Sequence, residues 1–245
     1  MARAEPDGHT LMAVVSTHVA NRYFLPALPY DPLKDFTPVA LLTRNTMVLA
    51  AGTAQPFADL PALLARARAQ PGRIGTGSTE SLSSFIGQEL ARRAQVEMPD
   101  VQYRSGGQLM NDVVAGHLPV GWTSTASAMP HMQTGRGRVR LLAVSTATRT
   151  PFFPETPTVQ EQGIPEFDLP GWVGLYGPSG LPAPVVERLH QALARAFEDA
   201  TLRQRFAAMG IEPALGPGTA LQAAAEREDR LWAAAAAAGH IQKQQ

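Results

Sequence analysis

An α/β chain that becomes nearly all helical towards its C-terminal end is encoded here, and the placement of apolar residues says so in three ways. Short apolar runs of strand length alternate with amphipathic runs of helix length between residues 10 and 144. Hydroxyl-bearing and glycine residues gather just after several of the strand-like runs, where α/β sheets carry their ligand loops. From Pro184 onward the periodicity is that of helices. Strands alternating with helices predict largely parallel sheets covered on both faces, and 245 residues suffice for one large domain or two smaller lobes.

Pro6-Asp7-Gly8 is a turn, and Thr10 to Val15 after it reads as a buried strand ending in Ser16-Thr17-His18. Those polar residues suit a ligand loop, and equally a plain helix cap. Residues 28–36 are too rich in proline for a regular element and read as a surface connection. Thr37-Pro38-Val39-Ala40-Leu41-Leu42 and Met47-Val48-Leu49-Ala50-Ala51 are two short strands. Leu60, Leu63, Leu64 and Ala67 place one face of a helix over residues 59–70, closed by Pro71-Gly72.

A strand over residues 73–77 then feeds the loop Gly75-Thr76-Gly77-Ser78-Thr79-Glu80-Ser81, and Leu82, Phe85, Ile86 and Leu90 recur at helical spacing directly after it. A helix start leaves its first N–H groups unpartnered and carries partial positive charge, so this turn suits an anion; a cap with a glycine turn is the competing reading. No Gly-Lys-Ser/Thr follows, and Glu80 takes the third glycine position of a dinucleotide fingerprint, which favours a carboxylate over a polyphosphate. A second strand-turn-helix unit follows: Asp100 to Tyr103, the turn Arg104-Ser105-Gly106-Gly107, and a helix through Leu109, Met110, Val113 and Val114.

Leu118 to Trp122 is another strand, followed by the hydroxyl cluster Thr123-Ser124-Thr125 and a short helix through Met129 and Met132 to Gly135. Val139 to Val144 has the strongest buried-strand pattern. Residues 149–170 are dense in proline and read as a long surface connection with one short helix at residues 158–162. Trp172 to Tyr176 is the last expected strand. Three helices complete the chain: residues 185–198, one through Leu202, Phe206 and Met209, and one from Thr219 through Leu231 and Trp232 to Gly239.

Catalytic groupings are sparse. The six histidines are scattered without metal-ligand spacing, Lys34 and Lys243 are the only lysines, and cysteine is absent, so a metal site, a Schiff base and a thiol nucleophile are all disfavoured. No Gly-x-Ser-x-Gly elbow occurs. Formal net charge is zero, with 21 basic and 21 acidic residues, which points away from nucleic acid and from anionic membrane surfaces. No apolar run is long enough to cross a bilayer. The polar loops therefore read as built to hold a ligand rather than transform one, with no cofactor. A hydrolase using Ser78 or Ser81 with a distant His131 is the alternative, and a folded remnant that binds nothing is a third.

Taken in order, the motifs resemble the substrate-binding proteins of tripartite tricarboxylate transporters, the TctC or Bordetella-uptake-gene family. Pro6-Asp7-Gly8-His9-Thr10-Leu11 resembles its P-D-G-Y-T-L, and Leu28-Pro29-Tyr30-Asp31-Pro32 with Asp35-Phe36-Thr37-Pro38-Val39 its L-P-Y-D-P…D-F-x-P-V. Thr76-Gly77-Ser78-Thr79 stands at the family's glycine, serine and threonine-rich loop, and Val101-Gln102-Tyr103-Arg104 is similar to V-P-Y-K. Leu142-Ala143-Val144-Ser145, Arg149 and Pro157-Thr158-Val159-Gln160-Glu161-Gln162-Gly163 resemble L-A-V-T…R…P-T-V-x-E-x-G. Trp172-x-Gly174-Leu175 with Gly177-Pro178-Ser179-Gly180-Leu181-Pro182 resembles W-x-G-L-x-A-P-A-G-T-P.

The resemblance implies a two-lobed type II periplasmic binding protein fold, monomeric, with a small organic carboxylate in its cleft that is released to membrane permease subunits. It implies a first lobe of residues 1–50 and 172–245 and a second of residues 51–171, with crossings at residues 47–51 and 172–176. Its binding positions carry over onto Ser16 and Thr17, onto Thr76, Gly77, Ser78, Thr79 and Ser81, and onto Thr123 and Ser124, with Trp172 as an apolar wall. Two departures stand out. The family's export signal and first strand-helix unit have no counterpart in residues 1–8, so a truncated relative or a misassigned start is expected, and Glu80 places a carboxylate beside the proposed anion loop.

Overall fold

The computed structural model describes residues 1–25, 27–133 and 138–237, with only the backbone of Gln133 included. Gly135, Gly239, His240 and Lys243 lie outside the described residues. The chain divides into two compact units. One comprises Met1–Arg44 with the described part of Trp172–Gln245, and the other is the continuous stretch Asn45–Gly171.

The first unit holds a four-stranded sheet. Its strands are β1 (Met12–Val15), β2 (Phe36–Asn45), β8 (Gly171–Pro178) and β9 (Glu212–Pro217), in the order β1-β8-β2-β9. β1 pairs antiparallel with β8, and β2 antiparallel with β9. The strand β9 runs Glu-Pro-Ala-Leu-Gly-Pro and shows no apolar alternation. It exists because it sits at the sheet edge, where proline's missing N–H breaks no ladder, and local sequence reading could not have found it.

Among the described residues, four helices belong to this unit: α1 (Thr17–Phe24), α6 (Ala183–Glu198), α7 (Ala200–Ala208) and α8 (Gly218–Ala237). On α8 the buried residues Leu221, Ala225, Glu228, Trp232 and Ala235 repeat every three or four positions and form one inward stripe. Leu221 and Ala225 share a core with Val19, Phe36, Trp172 and Tyr176. The proline-rich stretch 28–36 is anchored rather than superficial: Pro32 is buried, and Tyr30 stacks on His18 with ring centroids 5.5 Å apart.

The second unit is built on a five-stranded sheet in the order β5-β4-β6-β3-β7. Its strands are β3 (Met47–Gly52), β4 (Thr76–Ser78), β5 (Asp100–Gln102), β6 (Val120–Ser124) and β7 (Val139–Val144). β4 pairs parallel with β5 and β6, whereas β3 pairs antiparallel with β6 and β7. The largely parallel arrangement expected from alternation is thus wrong for both units. Helical connections permit parallel pairing but do not compel it once the chain enters a sheet from the other unit.

β3 is fully buried and hydrogen-bonded on both sides within this sheet, so the first boundary between units falls at Arg44/Asn45 rather than after residue 50. The helices α2 (Leu60–Ala69), α3 (Ser81–Ala94), α4 (Gly106–Ala115) and α5 (Thr125–Gln133) accompany the strands. Residues 149–170, expected at the surface, instead insert Val159, Ile164, Phe167 and Leu169 into the interior, around a 3-10 turn at Gln160–Gln162. Proline content fixed the absence of regular structure there but not the burial.

Candidate functional site

In the second unit, β5, β4 and β6 run parallel side by side, so their carboxyl ends share one end of the sheet. Each is followed by a helix, and three helix N-termini therefore gather there: α4 after β5, α3 after β4, α5 after β6. Such an end of a parallel sheet is where anionic ligands are usually held, because unpartnered N–H groups and helix dipoles converge on it. The expected residues Thr76 to Ser81, Thr123 and Ser124 are brought together by this register alone.

Their side chains are not equivalent. Ser78 is 1% exposed, and its Oγ accepts a hydrogen bond from Gln102 Nε2 at 2.8 Å. Gln102 also donates to Asp100 Oδ2, which accepts from Ser84 Oγ at 2.6 Å. An amide cannot take a proton from Ser78, so Gln102 is a fixing partner of this serine and not a general base for it. Thr79 N–H and Glu80 N–H both donate to Ser83 Oγ, at 3.0 and 3.1 Å, and Ser83 Oγ donates to the Glu80 carbonyl. Those two loop N–H groups, which the sequence offered to an anion, are committed to fixing the helix start. Glu80 keeps exposed surface, yet desolvation by its surroundings raises its carboxyl above the usual range, which lessens its repulsion of an anion.

Gly77 serves packing. A Cβ there would strike Leu118 Cδ2 and approach Leu109 Cδ1 to 3.1 Å. Thr123 is 1% exposed and its Oγ1 is buried without a hydrogen-bond partner, as are Thr76 Oγ1 and Trp122 Nε1. A Cβ on Gly106 would lie 3.1 Å from Thr123 Oγ1, so the first residue of α4 rests directly against that hydroxyl. Ser124 Oγ accepts from Ser127 N–H at 3.2 Å and lies 3.2 Å from Ser127 Oγ, capping α5. Ser105 caps α4 by accepting from Gln108 N–H at 3.2 Å. Sequence reading missed Gln102, Ser105 and Ser127; the Ser-x-x-Ser and Ser-x-x-Gln spacings at helix starts were the available signal.

The first unit places Ser16 between β1 and α1, with Thr17 opening the helix. Ser16 is buried, its N–H donates to the Trp172 carbonyl at 3.0 Å, and its hydroxyl makes no cap to α1. Trp172 is 3% exposed, a core side chain whose Nε1 lacks a hydrogen bond of standard geometry. Sequence reasoning also missed Glu228 of α8. Trp232 Nε1 donates to its Oε1 at 3.1 Å, and burial pushes its carboxyl up to about 8, against the opposing pull of the Trp232 donor. His18 is kept below its usual value by burial.

Among the described residues no cluster of His, Cys, Asp and Glu could hold a metal ion, and no helix is long and apolar enough to cross a membrane.

Comparison with known proteins gives a consistent family. The tripartite tricarboxylate transporter family receptor matches over residues 1–232. A UPF0065 protein from the tcbD-tcbE intergenic region of Pseudomonas sp. (strain P51) is 33% identical over 238 residues, covering 95% of this chain and 69% of that protein. A UPF0065 protein of Bordetella bronchiseptica is 32% identical over 217 residues, 88% of this chain and 64% of its own length. With a further relative from Agrobacterium vitis at 62%, the chain spans roughly two thirds of the length of the curated relatives it matches.

Among solved structures, an R. palustris protein with adipate superposes at a TM-score of 0.83 with 26% identity, covering 99% of this chain and 82% of that one. MatC from Rhodopseudomonas palustris with bound malate gives 0.77 and 29%, covering 96% and 81%. The periplasmic binding protein BugD shares the fold at 0.81 and 24% identity, covering 99% and 82%. By its match over nearly its whole length and by these identities, the chain belongs to the tripartite tricarboxylate transporter receptor family, whose members are solute-binding proteins and not enzymes.

Proposed function

We propose that the chain is a periplasmic solute-binding protein, monomeric, that captures a small organic dicarboxylate and delivers it to the membrane permease subunits of a tripartite transporter. The observation that carries this reading is the end of the second sheet, where the helices α3, α4 and α5 all begin and the first residue of α4 rests against the buried and unpartnered hydroxyl of Thr123. A carboxylate there meets N–H groups, hydroxyls and helix dipoles, which bind anions without needing a guanidinium clamp. Relatives solved with adipate and with malate, both dicarboxylates, support the same class. Thr76, Ser78, Thr79, Ser81, Thr123 and Ser124 are the polar contacts proposed for the second unit, and Ser16 and Thr17, with Trp172 next to Ser16 through its backbone, are those proposed for the first unit.

The test is a thermal-shift screen against malate, adipate, acidic amino acids and aromatic carboxylates, followed by calorimetry on Thr123→Val. At a hundred times its dissociation constant a ligand adds about 2.7 kcal/mol, a midpoint rise of several degrees. Loss of one buried hydrogen bond in Thr123→Val should weaken the best acid by about tenfold while leaving the unliganded midpoint nearly unchanged. Equal affinity in that variant would remove Thr123 from the site, and no shift with any acid would overturn the dicarboxylate reading.

A further inference from the structure

We infer that Gln102 is a positioning residue for the solute site of the second unit: its side-chain amide, oriented by Asp100, sets the Ser78 hydroxyl to donate its proton to a solute carboxylate. The inference rests on the reading of Ser78 as a solute contact. Ser78 and Gln102 are direct partners in the parallel pairing of β4 with β5, and Thr76 pairs with Asp100 two residues earlier. Strand alternation puts all four side chains on one face of the sheet. That face is the one α3 covers, because Gly87 of α3 lies against Thr76 and Ser84 of α3 bonds Asp100.

The direction of each hydrogen bond follows from the chemistry of the groups. A carboxylate has no proton to give, so Gln102 must face Asp100 Oδ2 with its NH2 end. The same nitrogen lies 2.8 Å from Ser78 Oγ and donates its second proton there. Ser78 Oγ is therefore the acceptor in this contact, and its own proton is turned away from Gln102. Among the described residues that proton meets no protein acceptor, although Ser78 is 1% exposed. A buried O–H without an acceptor is costly, so a solute oxygen that supplies one binds the more tightly for it. Ser78 is the last residue of β4, which places this donor at the end of the sheet where α3 begins.

The same arrangement occurs complete beside it. Gln88 Nε2 donates to Ser84 Oγ at 2.9 Å, and the Ser84 hydroxyl donates to the Asp100 carboxylate at 2.6 Å. An amide N–H thus feeds a serine oxygen, and the serine proton goes on to a carboxylate. Gln102 and Ser78 repeat the first two members, and the solute carboxylate is the third. Donors aligned in series polarise one another, so each serine donates better than it would alone. Asp100 orders both series, since its Oδ2 accepts from Ser84 and from Gln102 and holds the amide in one orientation. A glutamate at position 102, of the same size, would instead accept the Ser78 proton and turn it away from the solute.

Five proteins test this: the full chain, Ser78→Ala, Gln102→Leu, Gln102→Glu and the double variant of Ser78→Ala with Gln102→Leu. Gln102 is an exposed residue of the edge strand β5, so its replacement leaves the core intact. In the first arm, without ligand, the two side-chain amide protons of Gln102 are followed by NMR. Ser78→Ala should shift one of them and spare the one that faces Asp100. No shift, or an equal shift of both, overturns the inference.

In the second arm, malate and adipate affinities are measured by calorimetry at neutral pH. Ser78→Ala should weaken the tighter-binding acid by about tenfold, Gln102→Leu by about threefold, and Gln102→Glu by about tenfold or more. The double variant should bind as Ser78→Ala does, because Gln102 acts through the Ser78 hydroxyl. A Gln102→Leu loss that persists in full in the Ser78→Ala background would make Gln102 a structural residue and overturn the inference. Unchanged affinity in Ser78→Ala or in Gln102→Glu would show that Ser78 does not donate to the solute, and overturns it equally. If the first arm behaves as expected and neither acid binds the full chain, the orientation of Ser78 by Gln102 stands and the dicarboxylate reading falls.

Discussion

Burial holds His18 and Glu228 uncharged, and it moves them in opposite directions because one is a base and the other an acid. His18 is lowered when folded, so its contribution to stability is present above about pH 6.5 and is lost as pH falls. Glu228 is raised to about 8, so its contribution is full below the ordinary carboxyl range and is lost as pH rises towards 8. Between pH 6.5 and 8, then, Glu228 acts without an opposing term from His18. The wild-type midpoint should fall across that window by several degrees, on the order of 2 kcal/mol, while Glu228→Gln stays level. Thermal melts at half-unit pH steps would decide it, and parallel slopes would mean that Glu228 is not buried as an acid. On the acid side His18→Phe, placed among Tyr30, Phe36 and Tyr176, should resist the loss of stability below pH 6 that the wild type shows.

At the scale of elements, the start of α3 is fastened by the Ser83 hydroxyl, one half of a capping box whose other half is the Glu80 side chain. Ser83 Oγ accepts from two N–H groups and donates to one carbonyl, so Ser83→Ala should cost about 1–2 kcal/mol in urea denaturation and loosen the Thr79 and Glu80 amides to hydrogen exchange. Full exchange protection in that variant would show the turn to be held by something else. Gly77 makes a different claim on β4. Gly77→Ala should destabilise by about 1–3 kcal/mol through Leu109 and Leu118, without a specific effect on solute affinity once the protein is folded. Sequence reading put Gly77 in a ligand loop because glycine, serine and threonine cluster there. It could not see that the Cβ-free face turns towards α4 while the hydroxyls turn the other way, a consequence of strand alternation that needs the sheet to be known.

Across the whole molecule, the two units differ in how the chain enters them. Asn45–Gly171 is continuous and has its own cores around Leu109, Met110 and Val113 and around Val48, Ala128 and Val144. Expressed alone it should therefore unfold in one cooperative transition with dispersed amide resonances. The first unit needs both flanks, because β8 lies between β1 and β2 in its sheet. A fragment Asn45–Gly171 that stays molten would show that its cores depend on the other unit.

Local pattern by itself determined most helices, the burial of β3 and β7, the loop-to-helix turn at Ser81 and the family, because these follow from apolar spacing, capping residues and motif order along the chain. Only the tertiary structure decided the mixed strand directions, the edge strand β9, the inward path of residues 149–170 and the partnership of Glu228 with Trp232. Strand direction and edge position are properties of neighbours distant in sequence, so no local window carries them. A lone glutamate in an alanine-rich helix looks like solvent-facing charge until the stripe it occupies is seen to be the one that packs.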